Sequence, residues 1–397
     1  MLRSPIKWAA IILMSDNFVF RNFLKLKLYT MPSTKLQNSS DFGGQIFYIG
    51  IDVHKNAWSV TVRSLNLHLE HFSQPPSAKI LINHLHKKYP GGEYYSAYEA
   101  GFCGTGIHDE LCRGGVHNII VHAADIPFTD KQNKNKTDVR DSRSIAFHLE
   151  RGNLHGIYIM PIGQQELRSL FRLRQAKVRD LTRTSNRLKS FLVYFGVGFS
   201  LAFEGKEYIS SKVLTWLSQL ELASEAGKIS LKRYMDDLIY HRGQLLEITK
   251  ALRKQIQARY REPYECLLSV PGIGSITAIA LLAEIGDFNR FDSQAEYCSF
   301  LGLIPWEDSS GDSIYTKGVQ PRCNKHLRPL IVEASWTAIR RQPLLLKYYR
   351  RHAIKNSKHA IIKVARKLAL IAKGVVQKLQ KYQPDYYPIM GKIKSMA

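Results

Sequence analysis

The stretch Lys136-Thr137-Asp138-Val139-Arg140-Asp141 sets two carboxylates three positions apart, just ahead of a helix-compatible run from Ser142 to Leu149. On a helix that spacing places Asp138 and Asp141 on one face, one above the other. Like charges so placed repel unless a cation stands between them. The cation could be a lysine or arginine, or a hard divalent metal held by carboxylate oxygens; a solvated helix face is the plainer alternative. Two further acids interrupt apolar patterns. Asp52 sits within the β-branched and aromatic run Ile46 to Val53, and Glu99 closes the strand-like stretch Tyr94 to Tyr98. Singly, each could be a cap or a strand end; four acids in this order suggest one site. Far downstream, Ser309-Ser310-Gly311 follows Leu301-Gly302-Leu303-Ile304-Pro305 and reads as an exposed turn. A serine hydroxyl is a weak nucleophile at neutral pH and needs a base or a metal to activate it.

The elements that would position these groups can be read from periodicity. Strands are expected at Ile46–Val53, Trp58–Val62, Leu65–Phe72, Tyr94–Tyr98 and Val116–His122, with helices at Ala78–Lys88 and Thr105–Arg113. The first three strands, close in sequence, argue an antiparallel meander. From Gln164, Leu167, Leu170, Leu181, Leu188 and Leu192 recur at helical spacing among Arg172, Arg183, Arg187 and other cations. A second long helix, Ser230 to Tyr260, carries Leu238, Leu245, Leu246, Ile248 and Leu252, and the pair reads as an antiparallel coiled-coil arm. Its charges suit either a solvated face or a nucleic-acid track. Val270-Pro271-Gly272-Ile273-Gly274 then opens a helix, the pattern of a helix-hairpin-helix in which Gly272 and Gly274 let backbone amides approach a phosphate. Arg322, Lys325 and Arg328 lead into a helix at His326–Arg341, and the chain closes with a basic helix at His359–Lys381.

Composition narrows the partners. Lysine and arginine outnumber aspartate and glutamate 57 to 33 over 397 residues, a net charge of +24 spread along the chain. Such a field draws in polyanions, with nucleic acid first among them. No apolar run reaches the ~18 residues a spanning helix needs, so no membrane segment is expected. Five scattered cysteines read as reduced thiols of a cytoplasmic protein. Cys103, Cys112, His117 and His122 match no common zinc spacing. Residues 1–44 stand apart from the rest, as an N-terminal extension or an over-called start with translation beginning at Met31.

In its motifs the chain resembles the DEDD-type insertion-sequence transposases, relatives of the pilin-gene invertases. The resemblance rests on Gly50-Ile51-Asp52-Val53-His54-Lys55, Tyr98-Glu99-Ala100-Gly101, Lys136-Thr137-Asp138 with Asp141, Val270 to Gly274 with Thr277-Ala278, and Leu301 to Pro305 with Ser309-Ser310-Gly311, then Asn324 and Leu327-Arg328. It implies an α/β plus all-α chain: a RuvC/ribonuclease-H-like domain over 45–155, a coiled-coil connector over 156–262 and a mostly helical transposase domain over 263–397. It also implies that Asp52, Glu99, Asp138 and Asp141 hold Mg²⁺ (or Mn²⁺) and that Ser309 attacks a DNA phosphodiester. Further implications are donor and target DNA, a structured bridge RNA as guide, a homo-oligomer arranged as a dimer of dimers, and action at the nucleoid. Lys136 and Arg140 would contact phosphate or offset the acids. Two departures bear on how phosphate is held near Ser309. Asp312-Ser313 replaces a glycine-lysine continuation, and Pro321 and Cys323 stand where lysine and glycine are usual; Ser310 is the alternative nucleophile. Rival readings are a RuvC-like junction nuclease using water and a non-catalytic nucleic-acid-binding protein.

Overall fold

Alternation along β1 (Ile46–Val53) decides the first layer. Phe47, Ile49 and Ile51 are fully buried on one side, and Gly50 and Asp52 face the other. In the computed structural model, which describes residues 41–127, 138–198, 209–310 and 313–384, the chain divides into two compact units at Ile159/Met160. In the first, β1 pairs antiparallel with β2 (Trp58–Ser64), and β2 with β3 (Leu67–Gln74). On its other edge β1 pairs parallel with β4 (Glu93–Glu99), and β4 with β5 (Val116–Val121). The order is β3-β2-β1-β4-β5, with β1 central. Helices α1 (Ala78–Lys88) and α2 (Gly106–Arg113) supply the crossovers that parallel pairing requires. Their Leu81, Leu85 and Leu111 pack on Phe47, Ile49 and Ile51.

On the opposite face lies α3 (Asp138–Glu150), with Ile145 in a cluster with Ala97, Val121 and Ile126. Gly50 allows it to come this close. A Cβ there would stand 2.1 Å from the Ser142 carbonyl oxygen and 2.4 Å from the Ala146 nitrogen, both backbone atoms. The Gly50→Ala variant is therefore expected to force α3 away from the sheet and to cost about 3 kcal/mol. Equilibrium denaturation of the whole chain checks this, and an unchanged midpoint would refute it.

The third strand begins later than the sequence pattern suggests. Leu65 and Asn66, with φ of 50° and 61°, form the β2–β3 turn rather than the start of the strand. Positive φ at both central residues matches the twist of the flanking strands. Glu150, at the end of α3, fixes the turn by accepting from Arg63 Nε at 2.6 Å and from the Asn66 amide at 2.7 Å. Leu65, Leu67 and Leu69 are all exposed.

Among its described residues the second unit is helical apart from one hairpin. α4 (Ile162–Tyr194, 33 residues) runs antiparallel to α6 (Glu225–Leu268, 44 residues). Leu167 and Phe171 share a core with Leu252 and Ile256, while Leu188 and Leu192 share another with Leu231 and Leu238. Between the two helices lies α5 (Ser211–Ser218), which the periodicity did not suggest. α6 is broken at Tyr260 (φ −136°, ψ 34°), just before Pro263; proline lacks the N–H and its ring crowds the preceding turn. Leu246, expected on the apolar face, is exposed. α7 (Ser275–Ile285) is buried over most of its length and shares a core with α8 (Gln294–Phe300), α9 (Leu327–Arg341), α10 (Pro343–Ala353) and α11 (Ser357–Lys378). Ser309 and Ser310, expected in an exposed turn, end β6 (Pro305–Ser310), which pairs antiparallel with β7 (Ser313–Val319); Gly311, the third residue of that expected turn, lies outside the described residues. Among the described residues no helix is long and apolar enough to cross a membrane.

Candidate active site

Register brings the first two acids together. Gly50 pairs with Ala97 in the parallel β1–β4 ladder, so Asp52 and Glu99, each two residues further on, end neighbouring strands on the same face of the sheet. That is the face α3 covers. Asp52 is opposite Ser59 on β2, and Gly50 is opposite Thr61. Ser142 Oγ lies 3.1 Å from Ser59 Oγ and 3.0 Å from Thr61 Oγ1, and it donates to the Val139 carbonyl at 3.2 Å. This hydroxyl cluster docks the start of α3 over the end of β1 that carries Asp52, and Asp141 immediately precedes the docked serine. Asp138 is the first residue of α3; its side chain, like all of Lys136, lies outside the described residues.

The Asp52 carboxylate is mostly covered, at 17% side-chain exposure, and its Oδ2 is 3.1 Å from His54 Nε2. Among the described residues no three His, Cys, Asp or Glu side chains form a metal-holding group. Asp52, Glu99 and the start of α3 bring carboxylates to this end of the sheet without closing a three-ligand group among the described residues, and carboxylate oxygen is the donor type that suits Mg²⁺ or Mn²⁺. The residues considered for zinc are engaged separately. Cys112 Sγ is 3.7 Å from His108 Nε2, His117 stacks on Tyr95, and His122 Nδ1 accepts from the Ala124 amide.

In the second unit Ser309 pairs with Ile314 and Ser310 with Ser313; their side chains lie outside the described residues. The base of this hairpin is held by polar contacts. The Gln320 amide donates to the Ile304 carbonyl, and Arg328 Nη1 donates to the Gln320 carbonyl at 2.9 Å. Asn324 binds the Phe300 carbonyl through its own amide, and its Oδ1 accepts from the His326 and Leu327 amides at the start of α9.

Two family models match the chain. A DEDD transposase model of the IS110 type covers residues 116–195, and the model for transposases of the IS116/IS110/IS902 family covers residues 264–350. The chain belongs to the DEDD-type insertion-sequence transposases. The transposase of insertion element IS1328 from Yersinia enterocolitica is 28% identical over 203 residues, 51% of this chain and 58% of that protein. That of IS1111A from Coxiella burnetii is 26% identical over 213 residues, 52% and 56% of the two chains. That of IS1533 from Leptospira borgpetersenii is 24% identical over 299 residues, 73% and 84%. The matches thus span little more than half the length of the first two relatives.

The basic residues singled out in this transposase sit in different surroundings. Arg140, Arg183, Arg187, Arg322 and Lys325 are exposed, with Arg183 3.7 Å from Asp180. Arg172 forks onto Glu284, its Nε and Nη2 each 2.8 Å from a carboxylate oxygen. Arg328 serves the hairpin base. Gly272 has φ +90°, and a Cβ there would lie 2.3 Å from the Ala334 carbonyl oxygen, so close packing of α9 accounts for that glycine. Gly274, the N-cap of α7, has open space around it.

Sequence reasoning passed over Glu284. Its side chain is fully buried, and it also accepts from Asn324 Nδ2 at 2.9 Å. Burial pushes its carboxyl pKa up, but the hydrogen bonds from Arg172 and Asn324, with the charges of Arg172 and His326, hold it below the usual glutamate range. The available signal was a lone acid in an otherwise apolar helix, Ser275 to Ile285.

Proposed function

We propose that this transposase cuts and rejoins donor and target DNA through a phosphoserine intermediate. In this reading the first unit is a RuvC/ribonuclease-H-like domain over 45–155, followed by a coiled-coil connector over 156–262 and a transposase domain over 263–397. The convergence of Asp52, Glu99 and the first turn of α3 at one end of a β3-β2-β1-β4-β5 sheet is the observation that carries it. Asp52, Glu99, Asp138 and Asp141 would hold Mg²⁺ or Mn²⁺, which when bound supplies positive charge to a phosphoryl group and a departing oxygen. Ser309 attacks phosphorus through its hydroxyl oxygen and gives up its proton. A P–O bond of the DNA backbone breaks, and the departing sugar oxygen is protonated. Phosphate stays esterified to the serine, so a different sugar hydroxyl can reverse the step without hydrolysis. Residues given roles on the nucleic acid in this reading are Lys136, Arg140, Arg183, Arg187, Gly274, Arg322 and Lys325, whereas Arg172, Arg328 and Gly272, expected there from the sequence, are occupied by contacts within the protein. Pairing of a structured bridge RNA with both DNA partners would choose the sites, within a dimer of dimers acting at the cytoplasmic nucleoid.

The test is to incubate the whole protein with element-end DNA and Mg²⁺, denature, and look for a protein–DNA adduct. Wild type is expected to give one and Ser309→Ala none. An adduct retained by Ser309→Ala but lost by Ser310→Ala would move the role to Ser310. Cleavage without an adduct in any of the three would sink the serine mechanism, and full activity after ribonuclease treatment would refute RNA guidance.

A further inference from the structure

The proposed chemistry leaves the last basic helix without a task, and that helix belongs to a larger pattern. Between Glu333 and Asp385 the chain has thirteen lysines and arginines and no aspartate or glutamate. α10 and α11 pack against one another and gather part of this charge on one surface. Tyr348, Arg351, His352 and Lys355 follow at spacings of three, four and seven residues, so they share a side of α10 and of the turn after it. Opposite them on α11, Lys363 Nζ is 3.3 Å from His352 Nδ1, and Lys367 Nζ is 4.4 Å from the centre of the Tyr348 ring. Tyr348 and His352 meet edge to face at 4.7 Å.

Every charge that registers at His352 is positive. Burial first, then Lys363, Arg351, Lys367 and Lys355, hold its pKa below the ordinary histidine range. No ion pair to any of these four cations is formed among the described residues. Like charges kept this close repel, and the contacts of Lys363 with His352 and of Lys367 with Tyr348 bring no negative charge to offset them. A polyanion would relieve the repulsion. Within the patch Lys367 stands over the Tyr348 ring and His352 meets it edge to face, so the surface presents cations rather than a row of free aromatic platforms for unpaired bases. Rows of phosphates on a duplex are the better match.

We propose that the surface formed by Arg351, His352, Lys355, Lys363 and Lys367 around Tyr348 grips the backbone of duplex DNA without reading its bases. The choice of DNA rests on the transposase reading above. Almost all of the surface lies past residue 350, where the family model ends.

The whole chain carrying Arg351→Gln, Lys355→Gln and Lys363→Gln tests this. Its binding to a labelled DNA duplex of arbitrary sequence, about forty base pairs long, is followed by fluorescence anisotropy over a salt series. The slope of log affinity against log salt is expected to become shallower by about 2–3, with affinity at about 150 mM salt lower by about 10–100-fold. A control chain with Lys79→Gln, Lys87→Gln and Arg113→Gln, exposed cations of the first unit, is expected to change the slope by less than about 1. An unchanged slope overturns the proposal, and so does an equal loss in both variants, which would report net charge alone. A loss confined to duplex RNA, or to single-stranded DNA, of the same length also overturns it. Binding is read without cleavage, so a wild type that never cuts DNA would defeat the proposed chemistry and leave this result standing.

Discussion

Strand cleavage by the Asp52→Asn variant is expected to fall about 10³-fold, a barrier increase of about 4 kcal/mol. The change exchanges one oxygen for an amide of the same shape, so the apolar face of β1, with Phe47, Ile49 and Ile51, is untouched. What is lost is a negative oxygen at the place where Asp52 and Glu99 end adjacent parallel strands under the start of α3. Glu99→Gln and Asp141→Asn are expected to behave alike, because in the proposed function each supplies charge to the same site. Cleavage of element-end DNA at saturating DNA concentration measures the effect, and thermal melting and DNA affinity should stay close to wild type. A variant that melts early and cleaves normally when folded would assign Asp52 to structure instead. His54, 3.1 Å from Asp52 Oδ2, would then be the partner to examine.

The second large effect is expected at Glu284. Replacing it with alanine removes the acceptor for three hydrogen bonds and leaves Arg172 without its counter-charge inside the helical unit. Breaking a fully buried pair in this way costs about 3–5 kcal/mol. The Arg172 side chain is 45% exposed, so water screens part of the loss, and about 2–3 kcal/mol is the expected figure. Denaturant midpoints of Glu284→Ala, Arg172→Ala and the double variant test it. Strict additivity would mean that the two side chains do not act together.

The same group fixes a pH dependence. Its folded pKa lies below its unfolded one, so its contribution is complete above the unfolded value of about 4.3 and fades as pH falls through the folded value. Wild type should therefore lose stability faster than Glu284→Gln on acidification below about pH 4.3. Parallel curves would show that the carboxylate is not the group responsible. Asn324 connects this pair to the hairpin base, so cleavage is expected to decline in Glu284→Ala even under conditions where the chain remains folded.

Much of the first unit could be read from local pattern. The strands at Ile46, Trp58, Tyr94 and Val116 and the helix Ala78–Lys88 lie where alternation and helical spacing put them, because each has one face committed to a core. The β2–β3 turn was misplaced because Leu65 and Asn66 adopt positive φ under the hold of Glu150, a contact 84 or more residues away in sequence. Ser309 read as a free turn because hairpin pairing with Ile314 leaves little trace in a polar stretch.

By itself, the sequence put forward the candidate groups and their order: carboxylates at 52, 99, 138 and 141, serines at 309 and 310, and cations along the helices. Strand and helix periods are local, and a charged residue that breaks such a period is visible without coordinates. Only the tertiary structure decided what each polar group meets. It set Asp52 beside Glu99 through parallel register, brought α3 down on Gly50, spent Arg172 on Glu284, and gathered Arg351, Lys355, Lys363 and Lys367 where no acid among the described residues pairs with them. Partners of this kind come from distant parts of the chain, and their pairing depends on packing that no local pattern encodes.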